Sequence, residues 1–331
     1  MLVLGVETSC DETSVSVVKD GKTVLSNVVL SQIDIHQEYG GVVPEIASRE
    51  HVKGITRVFD QAIKKAGIGF RDIDLIAVTE GPGLIGSLLI GVNAAKAVAL
   101  QYHLPIVGVH HIAGHIYANH LNRDLSFPLL ALVVSGGHTE LILMREHFDF
   151  TKLGETQDDA VGEAYDKVAR VLGLPYPGGP AVDRLALEGV DRFHFPRPLI
   201  DSNDFNFSFS GLKSHVINLH HNLLQRGEPI HVPDLCRSFQ EAVTDVLVAK
   251  TKRAAAEYRV KQVIVAGGVA ANKGLRAKMT HTITGVPVDF PAMEYCGDNA
   301  AMIAAAGYFK YQKTNQSNGL TINGNSRLTL Q

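Results

Sequence analysis

The stretch Leu2-Val-Leu-Gly-Val-Glu-Thr-Ser-Cys-Asp-Glu-Thr-Ser-Val-Ser-Val-Val18 places two short apolar runs on either side of a polar turn. A third apolar run, from Val24 to Leu30, follows a break that contains Gly21. Short runs rich in β-branched residues, separated by glycine and polar residues, are typical of β-strands. The N-terminal sequence therefore predicts three successive strands in a meander.

The same pattern returns after residue 128. Two short apolar runs, from Leu129 to Val134 and from Thr139 to Met144, flank the turn Ser135-Gly-Gly-His138. This recurrence favours an internal duplication of one α/β unit.

A second pair of segments supports the duplication. Residues 74–83 read as a buried strand and a glycine turn, and they lead into an apolar helix over 84–100. Residues 261–272 read the same way and lead into a helix that begins near Lys273. Chance recurrence of strand–glycine–helix units, which α/β proteins often contain, is the alternative.

The second copy is longer than the first by roughly 60 residues. We therefore expect an insertion at about 158–233, with helix-like runs at 160–172, 181–187 and 212–224. The expected boundaries are 1–125 for a first lobe, 126–297 for a second lobe, a C-terminal helix over 298–312 near the cleft between lobes, and a loosely ordered polar tail over 314–331.

Composition narrows the class of protein. The chain has 331 residues, of which 45% are hydrophobic and 20% charged, as in a globular protein of about two domains. Three scattered cysteines and an N-terminus that turns acidic at Glu7 predict a cytoplasmic protein. Because the net charge is −3, a general electrostatic attraction to nucleic acid is excluded, although a local basic patch is not.

Two lobes of this kind enclose a cleft, and ligands bind at the carboxyl ends of the strands. Three glycine turns follow predicted strands, at Gly81-Pro-Gly83, Ser135-Gly-Gly-His-Thr139 and Gly267-Gly268, the last with Asn272 close behind. Glycines allow close approach of a ligand to the backbone. The Gly-x-x-x-x-Gly-Lys pattern of P-loop proteins is absent from the sequence, so another kind of nucleotide site is expected.

His111 and His115 are four residues apart, so a helix would place both imidazoles on one face. Two such rings suit a metal ion, although a chance pairing is an alternative in a chain with 15 histidines. Asp298 lies just ahead of a helix of small residues, where it is either the helix N-cap or the third ligand, or both.

Other carboxylates have two interpretations each. Asp11 and Glu12 lie in the first polar turn, where they are available to a metal or an incoming amine, or belong to an ordinary solvated turn. Asp166 and Asp183, in the insertion, can accept hydrogen bonds from a ligand or cap helices at the surface.

These motifs resemble the tRNA N6-adenosine threonylcarbamoyltransferases, a family long described as O-sialoglycoprotein endopeptidases. The resemblance covers residues 1 to about 312. Its most specific part is the run Lys96-Ala, four residues, Tyr102-His-x-Pro-x-Val, three residues, then His111-x-x-Gly-His115-Ile. Further matches are Leu4-Gly-Val-Glu-Thr-Ser-Cys-Asp-Glu-Thr13, Gly40-Gly-Val-Val-Pro-Glu45, Val134-Ser-Gly-Gly-His-Thr139, Asp204-Phe-x-Phe-Ser-Phe-Ser-Gly-Leu-Lys213 and Gly267-Gly-Val-x-Ala-Asn272.

The resemblance implies the duplicated, two-lobed α/β fold of the actin, hexokinase and heat-shock chaperone (ASKHA) superfamily, with a central cleft and a helical insertion in the second lobe. It implies transfer of a threonylcarbamoyl group from threonylcarbamoyl-AMP to N6 of the adenosine 3′ to the anticodon in tRNAs that read codons starting with adenine. Asp11 or Glu12 would accept the amine proton. A metal-dependent glycoprotease and a non-catalytic ATP-binding protein are the alternatives.

The resemblance also implies a ligand set. One divalent metal ion, Fe²⁺ before Zn²⁺, would be held by His111, His115 and Asp298. The acyl-adenylate would contact residues of the second lobe, namely Val133, Val134, Ser135, Gly136, Gly137, Asp166, Gly179, Asp183 and Asn272.

Partners follow from the resemblance as well. A paralogous TsaB-type subunit and a TsaE-type ATPase are expected, with docking on an apolar helical stripe over 52–66, or packing of that stripe within its own lobe. Eight basic residues between Lys250 and Lys278 form a candidate tRNA-binding edge, or solvated helix faces. The family usually ends in a basic, Trp-containing segment, which this chain lacks.

Overall fold

The computed structural model describes residues 1–330, and residue contacts divide them into two compact units. Unit 1 contains 1–125, 146–150 and the chain from Pro291 onward, and unit 2 contains 126–145 and 151–290. The strands of unit 1 are β1 (Leu2–Glu7), β2 (Glu12–Lys19), β3 (Thr23–Ser31), β4 (Leu75–Gly81) and β5 (Ile106–His110). Its helices are α1 (Ile33–Gln37), α2 (Pro44–Ala66), α3 (Ile85–Tyr102), α4 (His111–Ala118) and α10 (Ala300–Thr314).

The sheet of unit 2 contains β6 (Leu129–Val134), β7 (Thr139–Met144), β8 (Phe150–Glu155), β9 (Gln262–Ala266) and β10 (Val288–Asp289). Its helices are α5 (Val161–Val171), α6 (Gly178–Ala186), α7 (Ser210–Gln225), α8 (Val232–Glu257) and α9 (Lys273–Thr282). Helices α5 to α7 lie close to the three helix-like runs that the insertion sequence predicts.

The two sheets share one topology. The order is β3-β2-β1-β4-β5 in unit 1 and β8-β7-β6-β9-β10 in unit 2. In each sheet the first strand is central, antiparallel to the second and parallel to the fourth. Because strand order, direction and chain order all agree, the predicted duplication is confirmed.

Unit 1 has helices on both faces of its sheet. On one face, alternate residues of β1, such as Leu4 and Val6, join a buried cluster with Ile55 and Phe59 of α2. On the other face, Gly5 lets α10 lie directly on β1, since a Cβ there would be 2.1 Å from the Ala300 carbonyl oxygen.

This packing settles the role of the apolar stripe over 52–66. Ile55, Phe59 and Ala62 are buried in the core of unit 1, so the prediction that the stripe docks a partner is wrong for these residues. Periodicity identified an apolar helix face correctly, but that face covers the unit's own sheet. Only Val52, at the start of the stripe, is well exposed (57%).

The prediction of a loosely ordered polar tail is also wrong. After α10 the chain returns to unit 1, where Ile322 is 4% exposed and belongs to the core cluster. The Asn318 side chain accepts a hydrogen bond from the Gly108 amide of β5 (2.9 Å). Polar composition concealed this docking because asparagine and serine here bond the backbone of an edge strand.

Helix α3 has 18 residues and is long and apolar enough, by length and composition, to cross a membrane. Its residues Leu88, Val92 and Ala95 are buried in unit 1, where the helix packs against β4 and α2. That placement is typical of the core helix of a globular domain.

Candidate active site

The three predicted metal ligands come together in unit 1. His111 begins α4 and His115 lies one turn later, with ring centroids 4.6 Å apart. Asp298 precedes α10, and its Oδ1 lies 3.2 Å from His115 Nε2 and 3.5 Å from His111 Nε2. One ligand atom from each residue lies within 4.8 Å of the others, which is the separation that a shared cation requires.

The surroundings of His115 fit a metal ion. Both of its ring nitrogens are buried and make no hydrogen bond among the described residues, with Nε2 facing the Asp298 carboxylate at 3.2 Å. A buried polar group without a hydrogen bond is costly. Two imidazoles and a carboxylate form a donor set that iron and zinc both accept. The expectation that Asp298 caps α10 is wrong, because the side chain of Asn299 accepts the hydrogen bond from the Met302 amide instead.

Glu7, at the end of β1, holds the other side of the His111 ring. Its Oε2 lies 3.2 Å from His111 Nδ1 and accepts a hydrogen bond from the Thr79 hydroxyl (2.6 Å). Glu7 is fully buried, and its Oε1 accepts from the Ser9 amide (2.5 Å). A carboxylate that accepts from Nδ1–H leaves Nε2 free to bind a metal, as in many metal sites.

For both Glu7 and His111, opposite charges and hydrogen bonds together affect the pKa more than burial does. Burial lowers the pKa of His111, but the carboxylates of Asp298 and Glu7 raise it to about 9. Burial raises the pKa of Glu7, yet the attraction of His111 and its hydrogen bond bring that pKa below its usual value. A cation that takes His111 Nε2 therefore competes with a proton.

The turn that carries Asp11 and Glu12 is held by His51 of α2. His51 Nε2 donates to the Cys10 carbonyl oxygen (3.0 Å), so Nδ1 accepts from the Thr13 hydroxyl (2.7 Å). Asp11 is 9% exposed. Burial, followed by the charges of Asp298 and Asp11, raises the pKa of Glu12 well above its usual range.

Cys10, in the same turn, is a thiol rather than a thiolate at neutral pH. Burial raises its pKa well above the usual value, and Asp11 raises it further. Both effects disfavour the thiolate, which is the reactive form of cysteine.

In unit 2, the glycine turn after β6 is open. Val133 and Val134 are buried strand residues, whereas Gly136 and Gly137 are exposed and a Cβ on either would contact nothing within 4 Å. The Ser135 carbonyl oxygen accepts from the Gly162 amide of α5 (3.1 Å), which fixes the turn to that helix. The backbone of this turn is therefore accessible to a ligand.

The predicted substrate-binding carboxylates hold helix N-termini in this structure. Asp166 accepts from the Gly178 amide (2.7 Å) at the start of α6, beside Gly179. Asp183 Oδ2 accepts from the Lys273 amide (3.0 Å) at the start of α9. Burial raises the pKa of Asp166, and the amides of Gly178 and Gly179 oppose that rise.

Asp183 and Asn272 are brought together by Gln240 of α8. The Gln240 amide donates to Asp183 Oδ1 (3.1 Å) and accepts from Asn272 Nδ2 (2.8 Å). Asn272 also caps α9 by accepting from the Leu275 amide (2.7 Å). Asp183 and Asn272 thus belong to one buried polar network, whereas Asp166 serves a different helix.

Sequence reasoning missed the residues that orient others. Glu7, His51 and Gln240 are all buried polar side chains that bond to a predicted site residue or to its turn. Glu7 had a usable signal, since it is a carboxylate at the end of an apolar strand. His51 and Gln240 lie within helices and carried none.

Part of the basic edge is engaged within unit 2. Lys250 is fully buried and donates to the Ser202 hydroxyl (2.8 Å). Lys278 forms ion pairs with both Glu241 and Asp245, and Arg253 donates to the Ser202 carbonyl oxygen (2.7 Å). The eight residues do not form one free positive edge, because at least these three are engaged by their own unit.

Comparison with known proteins extends these observations. A family model described as tRNA N6-adenosine threonylcarbamoyltransferase (TsaD) matches residues 23–305. A protein of that name from Halalkalibacterium halodurans is 59% identical over 332 residues, covering 100% of this chain and 96% of the relative. Another from Bacillus subtilis is 61% identical over 316 residues, covering 95% and 91%.

Solved structures agree on the fold. HypF of T. kodakarensis superimposes with a TM-score of 0.65 at 15% identity, covering 94% of this chain and 48% of that one. Component A of the (R)-2-hydroxyglutaryl-CoA dehydratase of Acidaminococcus fermentans gives 0.57 at 15% identity, covering 94% and 99%. At this identity the likeness concerns the duplicated α/β fold alone. By its family match and its full-length relatives, the chain belongs to the tRNA N6-adenosine threonylcarbamoyltransferase family.

Proposed function

We propose that this chain transfers a threonylcarbamoyl group from threonylcarbamoyl-AMP to N6 of the adenosine 3′ to the anticodon, in tRNAs that read codons starting with adenine. The observation that carries the proposal is identity of about 60% to two transferases of that name over almost their whole length. The His111, His115 and Asp298 group agrees with it, because the proposal includes a metal ion.

The reaction forms a C–N bond between the adenosine amine and the carbamoyl carbon. The bond from that carbon to the phosphate oxygen of AMP breaks, and the nitrogen loses a proton. AMP is a good leaving group, so the protein contributes chiefly by orienting the reactants and stabilising developing negative charge.

We assign one divalent cation to His111, His115 and Asp298, with Fe²⁺ favoured and Zn²⁺ as the second choice. A cation bound there would supply Lewis-acid polarisation of the donor's oxygen atoms. Glu7 orients His111 through Nδ1, and its full burial excludes water from that hydrogen bond.

The adenylate is assigned to the turns of unit 2. The exposed backbone of Gly136 and Gly137 would offer amides to the AMP phosphate. Val133, Val134 and Ser135, which precede them, are assigned to the same site. Asp166, Gly179, Asp183 and Asn272 are assigned to the nucleoside and its hydroxyls. In the present structure the three polar side chains of that set already bond helix amides, so the nucleoside would use their remaining acceptor capacity.

Asp11 and Glu12 are the candidates for accepting the amine proton. Both lie in the His51-held turn of unit 1, and the charge of Asp298 acts on Glu12. Separate Asp11→Asn and Glu12→Gln variants distinguish them, because the true acceptor should lose turnover while retaining donor binding.

A TsaB-type paralogue and a TsaE-type ATPase are the proposed protein partners, in the cytoplasm. The free cysteines Cys10, Cys236 and Cys296 agree with a reducing compartment. Exposed apolar side chains near the edge strand β3, namely Val29, Leu30 and Val52, support a protein interface on unit 1. Loss of copurification of the paralogue in Val52→Glu would agree with that interface, and full retention would move it elsewhere.

The test is mass spectrometry of nucleosides from tRNA incubated with the protein, its partners, threonine, bicarbonate, ATP and the adenylate-forming enzyme. Threonylcarbamoyladenosine should appear with the native chain and be lost with Asp298→Ala. Cleavage of a glycopeptide by the same preparation, lost with Asp298→Ala and with no tRNA product, would instead establish the protease alternative.

A further inference from the structure

The C-terminal segment, residues 317–328, runs along unit 1 toward the start of α4. Ser317 bonds both backbone groups of Ile106, at the beginning of β5. Further along, the Asn325 amide donates to the Glu80 carbonyl oxygen (2.7 Å) at the end of β4. The segment therefore follows the strands from one end to the other and finishes where α4 begins.

His110 joins this segment to α4. Its Nδ1 accepts a hydrogen bond from the Ile112 amide (3.1 Å), so His110 is the N-cap of the helix. Its Nε2 lies 3.0 Å from the carbonyl oxygen of Leu328. Since an amide can only donate and a carbonyl can only accept, the ring carries its proton on Nε2. One imidazole thus bonds the helix and the C-terminal segment together.

The C-terminal segment packs closely against two glycines, one at the end of β4 and one in β5. A Cβ on Gly81 would lie 1.9 Å from the Asn325 carbonyl oxygen and 3.1 Å from Leu328 Cβ. A Cβ on Gly108 would lie 2.9 Å from Ile322 Cδ1. At Gly81 the contact is with the backbone of the segment, so only glycine there admits the segment at its observed depth, whereas at Gly108 the contact is with a side-chain end.

We propose that the C-terminal segment is a positioning element for the metal site, acting through His110 on the first turn of α4. His111 follows His110 directly and is the first residue of the helix, so the backbone that His110 caps carries the His111 side chain. This inference rests on the metal site proposed above. It adds a role for the C-terminal segment.

The experiment measures cobalt(II) binding, with the visible absorption of the bound ion as a report of ligand geometry. A chain ending at Ser326 keeps the Ser317, Asn318 and Asn325 contacts but loses the Leu328 acceptor. His110→Asn keeps a capping oxygen but is too short to reach Leu328. We expect each change to weaken cobalt binding about fivefold, the effect of losing the one hydrogen bond between His110 and Leu328.

The combination of the two changes is decisive. If they break the same connection, the double variant should bind cobalt no more weakly than either single variant. Ser317→Ala is the matched control, since it removes bonds of the same segment at the far end of β5 and should leave cobalt binding unchanged. Metal-free amide exchange over 111–118 should be faster in the truncated chain than in the control.

Failure of the positioning role and failure of the metal site would give different results. Absence of cobalt binding by the native chain, with its fold intact by circular dichroism, would refute the metal site. Native binding with equal affinity in the truncated chain would refute the positioning role alone. Additive losses in the double variant would also refute it, because His110 and the segment would then act separately.

Discussion

At the scale of single residues, three histidines that are close in sequence have three different surroundings. His110 bonds the Leu328 carbonyl and caps α4, His111 is held at Nδ1 by Glu7, and His115 has no hydrogen-bond partner among the described residues. The spacing of His111 and His115 predicted that one helix face carries both rings, as α4 does, while a ligand role was implied only by the family resemblance. The surroundings that give each ring its task come from β1, β4 and the C-terminal segment, which no local pattern reveals.

The first prediction concerns Glu7. Glu7→Gln keeps the size of the side chain but removes the charge facing His111 Nδ1, so metal affinity should fall about 10-fold to 100-fold. Thr79→Val removes one hydrogen bond to Glu7 and should have a smaller effect. Isothermal titration with Zn²⁺ measures both, and unchanged affinity in Glu7→Gln would show that Glu7 does not orient the ligand.

A second prediction concerns His120, which is 7% exposed and packs edge-on against Phe309 (4.7 Å between ring centroids). Burial lowers its pKa to about 4, an effect that the Asp124 carboxylate opposes. In the unfolded chain His120 binds a proton near pH 6.5. The contribution of neutral, buried His120 to the free energy of unfolding is therefore fully present above pH 6.5 and is lost as the pH falls toward 4.

Protonation of His120 should lower the free energy of unfolding by about 2 kcal/mol between pH 7.5 and 4.5. Urea unfolding of the native chain and of His120→Gln at both pH values isolates it. The free energy of unfolding should depend less on pH in the variant. An equal fall in both proteins would assign the acid sensitivity to other groups.

At the scale of elements, sequence patterns predicted strands and helices well, but not what covers them. The apolar stripe on α2 packs into the core of its own unit, as Ile55 and Phe59 show. Two glycines near the turn after β6 also differ in what surrounds them. Gly136 has space for a side chain, whereas Gly162, which faces the same turn, is tightly packed. Both glycines look alike in sequence.

This difference gives a third prediction. A Cβ on Gly162 would lie 2.7 Å from the Ser135 carbonyl oxygen, so Gly162→Ala should reduce the free energy of unfolding by about 1–3 kcal/mol. Gly136→Ala should leave it within about 0.5 kcal/mol but weaken donor binding, since its methyl group would occupy the proposed phosphate position. Thermal unfolding and titration with a non-hydrolysable adenylate analogue measure the two effects. A destabilised Gly136→Ala with unchanged donor binding would remove the turn from the site.

At the scale of the whole molecule, the duplication was predictable because the central strand pairs repeat in sequence. The first pair, β1 and β2, and the second, β6 and β7, have the same apolar runs and polar break. The short edge strand β10, of two residues, has no periodic signal and could not be found this way. The C-terminal segment was misjudged because its docking depends on single hydrogen bonds to β5 rather than on apolar pattern.

The measurement that tests the central claim most directly is a single-turnover reaction with isolated threonylcarbamoyl-AMP labelled with ¹³C at the carbamoyl carbon. The protein, with its partners and unmodified tRNA, should release AMP and form labelled threonylcarbamoyladenosine in equal amounts. The double variant His111→Ala, His115→Ala should form neither at a comparable rate while retaining its fold. AMP release by the native chain without labelled adenosine, or undiminished transfer by the double variant, would contradict the account.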